Sequence, residues 1–452
     1  MFSKVKFSLA FILILCVLMP GIGFAGTGPG LPEIFRVSYD VHEEEINNGS
    51  CYVYKEYLKT SSSVLNGIIA DAIDLFESEY VGKMPTNLSN PRRNNRLDLH
   101  VVHSRTGDRY MSVMVLCRHS EKRVQKYSPF FTVTWDLVAD CPVTLNNIFA
   151  PDSEAWHILS AGARQQMSEY FPAETASEEK LDSLSSIESL SNASFTLHAE
   201  ELTIHFEASE LYEGHSGLIH LRFYYSDLRP YMTEKGLSIT DNSAYPKVAL
   251  TFDDGPAYTE TATVVNNLRR YGARGTFFVV GNRVGEYADI MQRNFDENNL
   301  IGSHTNAHND ASKETKAEIV RTMDRSQVSI TNVIGQKATL MRPPYGTAAP
   351  YSKAKVNMPI IMWNLDTFDW TGKTSQTVFS TVKKMVKNGD IILMHDIKTN
   401  TMTSSEMVCE YLYEQGFMMV TVEELSRCEN VDMEPNKVYY RFCDGVTSDD
   451  SN

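Results

Sequence analysis

The sequence predicts an α/β protein in two parts: a (β/α) barrel of about seven units, preceded by a smaller α+β domain. Three observations predict it. After Pro246, nearly continuous apolar segments alternate with amphipathic ones, the pattern of parallel strands covered by helices. Before Met232 the texture is different, with alternating segments that read as paired strands beside isolated helical stretches. Between them lies "TEKGLSITDNSAYP", residues 233–246, polar and closed by proline, which reads as a linker.

The elements follow in chain order. Lys4 and Lys6 precede an apolar run from Phe7 to Met19, and Gly23-Phe24-Ala25 forms a small-x-small cleavage site. The run is shorter than the roughly 20 residues of a membrane span. Residues 1–25 are therefore expected to be a signal peptide. That makes the protein exported: periplasmic, cell-wall associated or secreted, with no transmembrane span after cleavage, or else tethered by the uncut segment. Residues 31–232 form the α+β domain. "RLDLHVVHS" and "RYMSVMVLCRHS" read as paired strands, "WHILSAGARQQMSEYF" as a helix, and "SFTLHAEELTIHFEASELYEGHSGLIHLRFYY" as further strands. His198, His205, His215 and His220 have no consistent ligand spacing, so they read as surface or strand histidines rather than metal ligands.

Residues 247–430 carry the repeated units. They run from "KVALTFDD" and "TETATVVNNLRRYG" through "GTFFVV", "LIGSH", "TLMRPP" and "IIMWNLD" to "DIILMHD" and "FMMVTVEEL". Residues 431–452 are polar and acidic and read as a tail. Cys51, Cys117, Cys141, Cys409, Cys428 and Cys443 would remain after cleavage, an even number that points to disulfides in an exported chain. Six cysteines allow 15 full pairings; buried thiols are the alternative. The formal charge of −15 over 452 residues argues against a nucleic-acid partner.

The polar residues at the strand ends carry the chemistry, because in a βα barrel all those ends open on one face. Asp253 and Asp254 end the first strand. His304 and His308 follow "LIGS", Arg342 ends "TLM", and Asp366, Asp369 and Trp370 follow "IIMWNL". His395 and Asp396 end "DIILM". Adjacent carboxylates repel unless a cation relieves them. The i, i+4 spacing of His304 and His308 predicts a helical turn with both imidazoles on one face. One carboxylate and two imidazoles make a three-ligand zinc set that leaves a position for water, and a second carboxylate can act as general base.

Taken together, "TFDDGP", "HTNAH", "RPPYG", "DTFDW" and "LMH" resemble the five motifs of the polysaccharide deacetylase family (the NodB-homology domain, carbohydrate esterase family 4), over about Lys247 to Leu425. The resemblance implies a distorted barrel. It implies Asp253 as base, with Asp254, His304 and His308 as ligands of Zn2+, Co2+ or another divalent transition metal. It implies that Arg342 orients Asp253 and that the Tyr345 backbone N–H helps hold the oxyanion. Asp369 would tune the acid His395, and Trp370 and Leu393 would line the acetyl pocket. The implied partner is an acetylated glycan polymer, and the implied reaction is removal of N-acetyl groups from hexosamine chains. The front domain is similar to one found ahead of this domain in some exported peptidoglycan deacetylases, which tilts the substrate toward peptidoglycan. Chitin-type or poly-N-acetylglucosamine chains and O-acetyl xylan remain as alternatives, as does a non-catalytic glycan-binding envelope protein.

Overall fold

The computed structural model describes residues 30–46, 50–86, 89–172 and 174–442. The expected signal peptide and Cys443 lie outside them. Among the described residues, no helix is long and apolar enough to cross a membrane.

The first part is built on a seven-stranded sheet: β1 (Ser38–Ile46), β2 (Cys51–Lys59), β3 (Asn95–Thr106), β4 (Tyr110–Glu121), β5 (Val124–Tyr127), β6 (Phe130–Asp136) and β7 (Cys141–Val143). β2 and β3 are parallel and the other neighbours antiparallel. The helix Ser63–Val81 packs on it through Leu65, Ile69, Ile73 and Phe76. A second sheet joins β8 (Ser194–Leu197), β9 (Glu201–Glu207) and β10 (Leu218–Tyr224) in antiparallel order. β3 and β4 pair as expected, but they are buried along nearly their whole length rather than on one face. His198, His205 and His220 do lie on or beside strands, and they are buried, linked through Thr196 and by a 2.8 Å contact between the Nδ1 atoms of His205 and His220.

The second part is the distorted βα barrel. Its strands are β11 (Lys247–Asp253), β12 (Gly275–Val279), β13 (Leu300–Ser303), β14 (Ile360–Ile361), β15 (Leu365–Asp366), β16 (Asp390–His395) and β17 (Met418–Met419). All pair in parallel, in the order β13-β12-β11-β16-β15 with β17 beside β11. Single bridges at Met341 connect β13 to β14. The helices start where local chemistry says they should. Thr315 and Glu318 form a capping box at the head of Lys316–Ile334, and Gly335, at φ 75°, ends it in the left-handed conformation.

The described parts of the expected linker and of the expected tail pack against the rest of the chain. Residues 234–239 of the expected linker are helical, and Asn242 beyond them is buried, bonding Thr106 and the carbonyl of Ala199. The expected polar tail contributes β18 (Val438–Tyr439), parallel to β14, because Tyr439 and Phe442 are apolar enough to bury fully. Both parts share one apolar cluster. Fully buried ion pairs cross between them: Arg269 to Glu56 at 2.8 Å, and Arg274 to Glu201 at 2.7 Å. Removing one partner of such a pair leaves an uncompensated buried charge, at about 3–5 kcal/mol. Cys117 and Cys409 are buried thiols rather than halves of a bridge, and burial pushes both thiol pKa values up.

Candidate active site

Register brings the strand ends together. β11 pairs with β16 so that Asp253 stands opposite His395. β12 pairs with β13 so that Val279 stands opposite Ser303, and the next residue is His304. Ser303 bridges Met341, and the next residue is Arg342. The parallel register thus brings Asp253, His304, Arg342 and His395 to the same rim.

Asp254 leaves the strand with φ 76°. That left-handed turn separates it from Asp253 and points the two carboxylates to different partners. Asp254 Oδ1 lies 3.1 Å from His308 Nε2 and 3.5 Å from His304 Nε2. Ligand atoms of the three residues all fall within 4.8 Å of one another. Burial acts to raise the Asp254 pKa, but contacts from His304 and His308 hold it below the usual carboxylate range. The His308 pKa is raised, chiefly by Asp254.

His304 and His308 do not share a helical turn. Residues 305–307 form an irregular turn, with Thr305 at φ 65° and His308 at φ 56°. The four-residue spacing still brings both rings to one ion-sized space, their centroids 5.0 Å apart, but through left-handed backbone instead of α-helix. His304 N–H is still bonded to the β12 carbonyl of Val279, and the positive φ of Thr305 directly after it is what takes the chain out of helical geometry.

The three residues fit a divalent cation. Two imidazoles and one carboxylate are the donor set of a site with an open coordination position. His304 Nδ1 is engaged with the carbonyl of Arg342 at 2.8 Å, which fixes the tautomer and leaves Nε2 for a ligand. Asp254 Oδ1 is shut off from solvent with no hydrogen-bond donor. An orphaned buried carboxylate oxygen beside two imidazole nitrogens is what a missing cation would complete.

Arg342 is completely buried and supports both sides of the site. Its Nη1 donates to Asp253 Oδ1 at 2.9 Å and to Thr251 Oγ1 at 2.8 Å, and Nε and Nη2 donate to the carbonyls of Ile361 and Met362. The guanidinium lies 4.2 Å from the centre of the Phe278 ring. Burial lowers its pKa, against the pull of Asp253. Asp253 keeps its other oxygen, Oδ2, 3.9 Å from His304 Nε2.

On the β16 side, Asp369 is buried and accepts three times: from His395 Nδ1 at 2.8 Å, from His395 N–H at 2.7 Å and from Thr401 Oγ1 at 2.6 Å. Burial acts to lower the His395 pKa, but Asp369 outweighs it and raises the pKa. With Nδ1 engaged, Nε2 is the nitrogen left to exchange a proton. Trp370 is 52% exposed and Tyr345 is 69% exposed, whereas Leu393 is buried in β16. The Tyr345 ring meets His308 edge-on at 4.7 Å, and its backbone is left-handed at φ 57°. Asp366 accepts from Phe368 N–H at 2.7 Å, a bond local to its own loop.

Several supporting residues escaped the sequence reading. Thr251 is a polar residue on a buried strand, a signal that could have been read. Thr401 and Thr261 sit in helices and carry no local signal. Asp396 follows β16 directly, and its place in the sequence says nothing of its burial. Its carboxyl is buried under Gly255, Thr261 donates to Oδ2, and burial pushes its pKa up to about 7.

The profile of the family described as "Polysaccharide deacetylase" matches residues 240–359. A peptidoglycan-N-acetylglucosamine deacetylase of Listeria monocytogenes is 34% identical over 40% of this chain, and the match spans 38% of that relative's length. A peptidoglycan-N-acetylglucosamine deacetylase of Bacillus cereus is 31% identical over 40% of this chain and 88% of its own. The peptidoglycan-N-acetylmuramic acid deacetylase PdaC of Bacillus subtilis is 25% identical over 65% of this chain and 68% of its own.

Proposed function

Because this chain belongs to the polysaccharide deacetylase family, we propose that it hydrolyses N-acetyl groups of a hexosamine polymer, most directly peptidoglycan, releasing acetate and leaving a free amine. The observation that carries the reading is the orphaned Asp254 Oδ1, aimed with two imidazoles at one point beside Asp253. The similar PdaC, whose match also reaches into the first part of the chain, supports peptidoglycan over other acetylated glycans.

Asp254, His304 and His308 would hold the ion, with zinc as the first choice for this donor set. Such an ion acidifies water and polarises a carbonyl. The remaining chemistry falls to the chain. Asp253, held by Arg342, takes a proton from the attacking water at Oδ2 as a new C–O bond forms at the acetyl carbon. The Tyr345 N–H donates to the carbonyl oxygen as negative charge develops there. His395, whose pKa Asp369 raises, gives its Nε2 proton to the nitrogen as the C–N bond breaks. Trp370 and Leu393 bound the space for the acetyl methyl.

Acetate release tests this on sacculi, chito-oligomers and acetylxylan, with and without chelator and alongside metal analysis. Chelator-sensitive release, greatest on sacculi, is expected. No release from any acetylated glycan by the metal-loaded protein leaves the reading untenable.

A further inference from the structure

One feature of the first part has no role in that chemistry. β4 and β5 are joined by a two-residue turn, Lys122-Arg123, between the paired residues Glu121 and Val124. Both turn residues are left-handed, at φ 48° and 65°. A two-residue hairpin of this kind favours Asn-Gly, because both positions need positive φ. Here the strained positions hold the two longest cations instead. Strain of this sort persists where the surroundings impose it, and it gathers at functional sites.

The surroundings do impose it. Lys122 N–H donates to the carbonyl of Asn94 at 2.9 Å, pinning the turn to the loop at Asn90, which is left-handed too at φ 53°. Asn90, Asn94, Lys122 and Arg123 line one open cleft. Arg123 lies 4.1 Å from the centre of the Tyr258 ring, and Tyr258 belongs to the loop that begins at Asp253 and Asp254. The turn therefore stands against the rim of the candidate active site.

The Asp289 carboxylate attracts Arg123 only from beyond ion-pair distance. Among the described residues no carboxylate lies within ion-pair distance of Lys122 or Arg123, whereas nearby Arg92 has Glu43 and Glu45, each at 3.6 Å. Arg123 Nε is screened from solvent and has no hydrogen-bond partner. On a chain of net charge −15, a turn that holds two cations without an ion-pair partner among the described residues offers an anion a favourable place.

We propose that Lys122 and Arg123, with Asn90 and Asn94, form an accessory subsite for a carboxylate carried by the same polymer whose acetylated sugar enters the catalytic centre. This rests on the reading of the site as a polysaccharide deacetylase. The subsite would select peptide-bearing glycan strands over neutral ones and would act on binding, not on bond breaking.

The test is the double variant Lys122→Asn/Arg123→Gly in the full chain, which removes both charges and installs the favoured turn. It is expected to melt at or above the wild-type temperature, so misfolding does not confound the result. Acetate release is measured on sacculi stripped of phosphate-bearing polymers and on neutral chito-oligomers. KM for sacculi should rise about tenfold with kcat unchanged, as for two exposed ion pairs. KM for chito-oligomers should stay as in the wild type. Added salt should weaken wild-type binding to sacculi and leave the variant nearly unaffected. Unchanged KM on sacculi, or an equal loss on both substrates, overturns the subsite. Co-sedimentation with the same sacculi reads it independently of turnover. Absence of acetate release would count against the proposed reaction alone, and equal sedimentation of variant and wild type would count against the subsite.

Discussion

Gly255→Ala tests how tightly the acidic turn is built. An alanine Cβ there would stand 2.3 and 2.5 Å from the two carboxylate oxygens of Asp396. Ordinary contact would require the carboxylate to retreat by roughly 1 Å. It has nowhere easy to go: Asp396 is 1% exposed and Thr261 Oγ1 already donates to Oδ2. Overpacking of this kind destabilises by about 1–3 kcal/mol, which for a chain of this size lowers Tm by a few degrees. Asp396 follows His395 directly, and Gly255 follows Asp254, so the displacement passes to the proposed acid and to a proposed ligand. A misplacement near 1 Å costs on the order of 10²-fold in turnover. The assay is thermal melting with kcat for acetate release, in Gly255→Ala and in Gly255→Ala/Asp396→Ala. The double variant should recover much of the lost Tm, because the clashing oxygens are gone. A single variant with wild-type Tm and kcat would refute the reasoning, and a double variant no more stable than the single would place the clash elsewhere.

His304→Ala or His308→Ala should abolish stoichiometric metal in the dialysed protein together with activity; retained metal by elemental analysis removes the ligand assignment. Asp253→Asn should keep the metal and lower kcat by ~10² or more, as for a lost general base. Asp369 raises the His395 pKa, so the alkaline limb of kcat/KM should move to lower pH in Asp369→Asn. The stability that the pair adds is full below the ordinary imidazole range and lost as pH rises through the raised pKa, which pH-dependent melting of wild type and Asp369→Asn checks. Arg342→Met should destabilise by about 3–5 kcal/mol in denaturant titration, since it strands the buried Asp253 carboxylate.

Much of the site was legible because its residues follow apolar runs, and a run's end is a local signal. Asp253, Arg342 and His395 could be placed on one rim from that alone. Helical geometry for His304 and His308 was wrong because a spacing of four residues fits a left-handed turn as well as a helix, and the sequence carries no marker for φ at Thr305. Burial of His198, His205 and His220 was not legible either. Strand periodicity tells which residues share a face, but it does not tell that another sheet will cover that face.

Residue order by itself determined which chemical groups this protein owns and that parallel strands would present them at one end, because strand length and apolarity are encoded within a few neighbouring residues. Tertiary structure decided what each group touches. Arg342 meets Asp253 across 89 positions, and Asp369 meets His395 across 26. Arg123 reaches Tyr258 from the other half of the molecule. Such contacts come from register and close packing between distant segments, and a linear pattern holds no record of either.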